Sequence, residues 1–303
     1  MRRLLAIAGA VVCLSAPGRL FAQSMLGEPN SVSVSAGYTY AQGDKLIESG
    51  GMKISNVKVT HHVFDFGVTY VTPLEKLAIG VSLPLVGTKW DDSSFPHFPT
   101  AGEWDDGSTH FTATDLRADL HYQLLEEPLG VMLTVGGSVP THDYPTYGYT
   151  APGRGLKAAH LGATLARTFD PVLPNAFFSL AYEFSLVEKY DNSPGTDAFG
   201  QNYSDMSAQL GYFVGDSLEV HGALDATIFH GGIDFVNFAL YSDEIQNDHD
   251  AVLKEQIWLL GGGANYQLTE SMTIGLEARL FIAGKNTSNN SMVGANAEYS
   301  IAF

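Results

Sequence analysis

The 303-residue sequence predicts an all-β chain, a transmembrane antiparallel up-and-down β-barrel of about twelve strands. Three observations carry that prediction. Apolar residues recur at every second position through twelve successive segments, and the links between these segments alternate short and long. Beyond Ala22 no stretch approaches the roughly 18 uninterrupted apolar residues that a membrane-spanning helix needs. Composition agrees, since the chain is 45% hydrophobic but only 16% charged, below the about 25% of ordinary globular domains. The 16 Lys+Arg against 33 Asp+Glu give a net charge of −17, which repels a polyphosphate backbone and argues against nucleic acid as a partner.

The N-terminus sets the compartment. Arg2 and Arg3 precede an apolar run and then Pro17 and the small-residue site Phe21-Ala22-Gln23-Ser24, the layout of a secretory signal peptide over residues 1–22. Cys13 lacks the lipidation pattern before it and leaves with the leader. Cleavage also removes Arg2, Arg3 and Arg19, so the mature charge is 13 − 33 = −20 and no cysteine remains. Residues 23–303 are then one domain.

The first segment alternates Val32, Val34, Ala36, Tyr38 and Tyr40 with small polar residues, a strand between two solvents. After a long link at 42–53 the second runs through Phe64, Phe66, Val68 and Tyr70. Its earlier Val57, Val59 and Val63 have the opposite parity, which predicts a bulge near His62-Val63. A short link at 72–76 leads to Leu77, Ile79, Val81, Leu83 and Leu85, and a long one at 88–109 to Leu116, Ala118, Leu120, Tyr122 and Leu124. The fifth to eighth follow on Leu129–Val135, Leu161–Leu165, Ala176–Leu186 and Ala208–Tyr212, the ninth to twelfth on Leu218–Ile228, Trp258–Tyr266, Ile274–Ile282 and Val293–Phe303, with long links at 140–155, 190–202, 231–251 and 284–290. Short turns on one rim and long acidic loops on the other fit a membrane barrel.

The faces opposite the apolar ones decide what fills the centre. Strand parity puts Asp65, Asp115, Arg117, Asp119, His121, Glu183, Glu219, His221, Asp225, Glu255, Glu277 and Arg279 inside. Such a face is no dry sandwich core, because unpaired buried charges cost several kcal/mol each. Carboxylates outnumber the two arginines, and between low-dielectric walls their field concentrates cations. About twelve strands predict a narrow lumen, which either conducts or is packed shut. Arg167 alone breaks the outward pattern, two residues before Phe169 and so near an interface where the cost is small.

Every second strand ends in an outward aromatic, namely Tyr70, Tyr122, Phe169, Tyr212, Tyr266 and Phe303, which places a ring girdle at one rim. Together with the export signal, the last strand resembles those of bacterial outer-membrane proteins, with Tyr299, Ile301 and the terminal Phe303 matching the signal read by the barrel-assembly machinery. The resemblance implies a place in the cell outer membrane, with lipid and lipopolysaccharide as neighbours. Ser82-Leu83-Pro84-Leu85, Thr114-Asp115-Leu116-Arg117 and Gly136-Gly137-Ser138-Val139-Pro140-Thr141 resemble outer-membrane transporters of the "MetA-pathway of phenol degradation" family. That resemblance implies transport of small organic solutes, aromatic ones included.

An enzyme is the competing reading. Asp91-Asp92, His97, Asp105-Asp106 and His110 share one loop, and His61-His62 top the second strand, but nothing orders them into a catalytic spacing. The run Asp243-Glu244-Ile245-Gln246-Asn247-Asp248-His249-Asp250 offers oxygens to a divalent cation yet lacks the mid-loop Gly and terminal Glu of a calcium-binding EF-hand loop. The sequence calls for no metal or cofactor, and the expected function is a channel for small solutes, aromatic or cationic, with a non-conducting structural or adhesive barrel as the alternative.

Overall fold

The computed structural model describes residues 25–49, 53–91, 102–148, 150–190, 200–234 and 249–303. The leader expected at residues 1–22 lies outside the described residues, as does most of the acidic run from Asp243. The strands are β1 (Ser31–Ile47), β2 (Lys53–Val71), β3 (Leu77–Asp91), β4 (His110–Ala113), β5 (Asp115–Leu125), β6 (Gly130–Pro140) and β7 (Ala158–Thr168). They continue with β8 (Ala176–Val187), β9 (Tyr203–Val214), β10 (Leu218–Phe229), β11 (Gln256–Thr269), β12 (Met272–Lys285), β13 (Thr287–Ser288) and β14 (Ser291–Ala302).

These make twelve antiparallel staves, because β4 and β5 are two parts of one stave interrupted at Thr114 and β13 is a two-residue addition beside the end of β1. Each stave pairs with its neighbours in chain order, and β1 closes the ring by pairing both β2 and β14. Ser31 faces Val71 on one side and Ala302 on the other. Closure leaves no unpaired strand edge, which lipid would not tolerate. The start of β1, the C-terminal end of β14 and the tight turns, such as the one through Gly215 at φ 63°, lie at one rim, the terminal rim. The longer links lie at the opposite loop rim.

Side-chain exposure alternates along the staves as the two-solvent pattern demands. On β5, Leu116, Ala118, Leu120 and Tyr122 are exposed, whereas Asp115, Arg117, Asp119 and His121 between them are half-buried. Val81, Val135, Leu161, Leu180, Leu210, Leu276 and Val293 continue the exposed apolar band on other staves. Tyr122, Tyr212, Tyr266 and Phe303 stand exposed at the terminal rim, and Arg167 is exposed one residue from the end of β7, opposite Phe178. A second aromatic group occupies the outer face nearer the loop rim, where Tyr38 lies 4.8 Å from Phe64 and His62 lies 5.4 Å from Tyr40 and 6.1 Å from Phe111.

Two expectations need correction. No bulge occurs at His62-Val63, since Val59 to Val71 pair without interruption to both β1 and β3, and the irregularity on this ladder falls at Gly43/Lys45 instead. Val59 and Val63 therefore face inward on the same side as Asp65, and Val59 is wholly buried opposite Trp90, in a part of the interior that mixes Val86 and Trp90 with the buried His61 and Thr88. The first three staves also run past their expected ends into the expected links, to Ile47, from Lys53 and to Asp91. Beyond the bilayer both strand faces meet water, so apolar alternation stops before the hydrogen-bond ladder does.

Candidate functional site

The site is the barrel interior, built wherever a polar residue takes the inward parity. At mid-height Arg117 on β5 binds Asp119 Oδ2 through Nε at 2.6 Å and both oxygens of Glu183 on β8 at 2.9 and 2.7 Å. His160 on β7 lies beside this group, with Nδ1 2.9 Å from Ser185 Oγ and 3.6 Å from Glu183. Asp119 can lie flat against β6 because its neighbour there is Gly136, where any Cβ would strike the carboxylate. His121 meets Thr134 Oγ1 at 3.0 Å.

A second cluster stands on the other side. Arg279 on β12 donates from Nε to Asp225 Oδ2 on β10 at 2.6 Å and lies 3.5 Å from Glu277. Ser207 donates to Asp225, and Thr227 donates to Asp205, each at 2.6 Å. Nearer the terminal rim Glu219 pairs with His221 at 3.0 Å and accepts from Asn265 Nδ2 at 3.3 Å. Asp65 Oδ2 is buried without a hydrogen-bond partner among the described residues. The expected inward residues thus form two arginine-centred clusters, with Glu219 and His221 as a separate pair and Asp65 apart from both.

Among the described residues, side chains from the β6–β7 link pack into the loop rim. The link between β6 and β7 turns inward, and Thr150 on it donates to Asp105 Oδ1 at 2.6 Å while its carbonyl accepts from Thr88 Oγ1 at 2.7 Å and Trp104 Nε1 at 2.9 Å. Tyr144 donates to Asp115 and accepts from Gly155 N. Burial, and next the Asp115 charge, push the Tyr144 phenol above its ordinary range, so it remains a donor. Glu255 stands just before β11, almost wholly buried, accepting from Thr287 Oγ1 at 2.7 Å and from Arg154 Nη2 at 3.4 Å. Leu46, Ala251 and Leu253 are also buried at this end.

Sequence reasoning missed Arg154, Tyr144 and Thr150, because nothing in a Gly- and Pro-rich link marks it as folding inward. Asp205 and His160 were missed as well, although a signal existed, since they have the parity opposite to Ala208 and Leu161 on their own strands. The rim residues considered for catalysis do not converge. His110 pairs with Asp106 at 2.9 Å, which holds the Asp106 carboxyl below its usual value, His62 meets Tyr38 Oη at 2.8 Å on the outer face, and Asp105 is bound by Thr150. Asp92 and His97 lie outside the described residues. Among the described residues no group of three or more His, Cys, Asp or Glu side chains is placed to hold a metal ion.

No family model and no curated protein matches the chain. Solved structures do. An outer membrane channel from Pseudomonas putida F1 superposes with a TM-score of 0.70 at 15% identity, covering 94% of this chain and 99% of its own. The translocator domain of the autotransporter NalP from Neisseria meningitidis gives 0.51 at 10% identity, covering 91% of this chain and 90% of its own. The fold is that of an outer-membrane β-barrel. In an outer-membrane barrel the exposed apolar band faces lipid, the terminal rim faces the periplasm and the long links face outward.

Proposed function

We propose that this outer-membrane barrel is a channel for small organic solutes, with a narrow interior whose walls are rich in carboxylates. The observation that carries the reading is the interior itself. Inward carboxylates on β2, β5, β8, β9, β10 and β12 are only partly matched by Arg117 and Arg279, and such a wall is stable when water reaches it. The excess acid favours cations over anions, and salt weakens that preference. The likeness to an outer membrane channel from Pseudomonas putida F1 supports a channel, and the sequence resemblance to the phenol-degradation transporters supports small organic solutes, aromatic ones included.

Export would use a leader at residues 1–22, and insertion would use the barrel-assembly machinery acting on Tyr299, Ile301 and Phe303. The packed loop rim favours a second reading, a barrel that is closed at rest. Single-channel conductance of the refolded protein in a planar bilayer with asymmetric salt tests both. A defined reversal potential supports the channel, silence supports the closed or structural barrel, and lipid or peptide hydrolysis by the same preparation would restore the enzyme reading.

A further inference from the structure

The β6–β7 link carries Arg154 into a cage of buried groups at the loop rim. The Arg154 guanidinium carbon lies 3.9 Å from the centre of the Phe229 ring at the end of β10 and 5.7 Å from that of Tyr203 at the start of β9, and Nη2 meets Glu255 Oε2 ahead of β11 at 3.4 Å. The two rings are partners on the β9–β10 ladder, with centres 5.0 Å apart and planes 28° from parallel, so the guanidinium meets them as a pair. Thr287 Oγ1 holds the carboxylate by donating to Glu255 Oε1 at 2.7 Å. Gln201, two residues ahead of Tyr203, donates from Nε2 to the Leu253 carbonyl at 2.7 Å and keeps Oε1 buried without a hydrogen-bond partner among the described residues. Asp115 and Asp205 also lie within reach of the Arg154 charge.

We infer that this cage is a binding site for small organic cations of the amidinium, guanidinium or ammonium class, and that Arg154 is the internal ligand that fills it until such a solute arrives. The inference rests on the channel reading and adds the class of solute that the outer mouth receives. The group already bound defines the chemistry. Aromatic ring faces, a buried carboxylate and further acids nearby attract a planar cation, and the same surroundings repel a solute that carries a carboxylate. Phe229 and Glu255 are 1% and 2% exposed, yet the Arg154 side chain keeps 20% of its surface. The guanidinium is therefore the member of the cage that meets solvent, and its departure opens the ring and the carboxylate to the mouth. Withdrawing a cation from beside a buried carboxylate is costly, which favours exchange for another cation over simple release. The tether suits exchange as well, since Arg154 stands between Pro152-Gly153 and Gly155, the last at φ 65°.

The test titrates the refolded full barrel with benzamidinium chloride by calorimetry at constant ionic strength, with benzoate as the probe of opposite charge. Arg154→Ala, which vacates the cage, should bind one benzamidinium per barrel, and the wild type should bind it roughly tenfold more weakly because the tethered guanidinium competes. Added to Arg154→Ala, Glu255→Gln should weaken binding by roughly tenfold or more, the loss of a charged hydrogen bond, and Phe229→Leu by roughly threefold, the loss of a ring contact. Benzoate should bind to none of these. Equal benzamidinium affinity in wild type and Arg154→Ala, no binding by either, indifference to Glu255→Gln, or benzoate binding as well as benzamidinium overturns the inference. Should Arg154→Ala fail to assemble, Arg154→Gln, which removes the charge and keeps a polar stem, takes its place under the same outcomes. Single-channel recording of the same wild-type preparation separates the two readings. Silence alongside the expected binding overturns the channel and supports the cage, and conduction without binding overturns the cage alone.

Discussion

Arg117 on β5 grips both carboxylate oxygens of Glu183 on β8, with β6 and β7 lying between them in the sheet. Only side chains on the concave face can meet over that span, because those on the convex face diverge. The same guanidinium binds Asp119, so one cation ties two acids from separate staves into a cross-brace.

Glu183→Gln should destabilise the barrel by roughly 1–3 kcal/mol, less than the full cost of breaking a dry buried pair because the cluster keeps some contact with solvent. Urea unfolding in detergent micelles checks this. The double variant Arg117→Met/Glu183→Met should cost less than the sum of the two single changes, and strict additivity would show that the brace carries no coupling.

Neutralising Asp119, Asp225 and Glu277 together should reduce cation preference, and most strongly at low salt, where the Debye length is about 30 Å at 0.01 M. The pairing sharpens the expectation, because losing these acids leaves Arg117 with Glu183 alone and removes both carboxylates beside Arg279. Swaps among small apolar residues at Leu116 or Leu276, which are exposed to lipid, should leave the reversal potential alone. A reversal potential indifferent to the triple change in a conducting protein would mean that these walls do not line the path.

The staves were legible in the sequence because a membrane barrel imposes two solvents on alternate residues. Leu116 and Arg117 declare their faces without any knowledge of their partners. The inward set was legible for the same reason, and the same parity rule extends to Asp205 and His160, which the sequence reading did not name. Which acid each arginine meets was not, since Arg117 reaches Glu183 by the curvature of a closed ring, and curvature has no local sequence signal. The loop rim was least legible. Val59 and Val63 imitate a register slip because they are apolar residues on the inward face, and Arg154 lies in a link whose fold depends on contacts with Thr88, Asp105 and Glu255 far along the chain.

Orientation follows from the rims. A cysteine at Tyr147, exposed on the β6–β7 link, should react with an impermeant maleimide on whole cells, and one at Val172, exposed in the turn between β7 and β8, should not. The sequence's one cysteine, Cys13, lies in the expected leader, so residues 23–303 offer no competing thiol. The reverse labelling pattern would invert the topology.

Deleting Phe303 should lower the yield of folded barrel in the membrane without changing export. Its side chain is highly exposed, so little native packing is lost and the defect would lie in assembly. Equal membrane levels of the truncated and complete proteins would defeat the assignment of Tyr299, Ile301 and Phe303 as an assembly signal.

The terminal rim carries a second obstruction, formed by the chain ahead of β1. Asn30 is anchored at this rim by donating from Nδ2 to the Phe303 carbonyl at 3.0 Å. Met25 stands three to four staves away around the ring, donating its backbone N–H to Oε1 of the wholly buried Gln123 on β5 at 2.9 Å, with its sulfur against Gly130 at the start of β6. Five residue steps span at most about 16–18 Å when extended, enough to cross much of a narrow barrel mouth. Residues 25–29 therefore lie over part of the opening at the terminal rim as a strap held at both ends. Deleting them should raise single-channel conductance while the ion preference, set higher in the barrel, stays near wild type. Gln123→Ala should release the far end and give a smaller rise, at a stability cost of about 0.5–1.5 kcal/mol for each hydrogen bond lost. If conductance is the same in both variants as in wild type, the strap does not lie in the conducting path, and the resistance belongs to the packed loop rim.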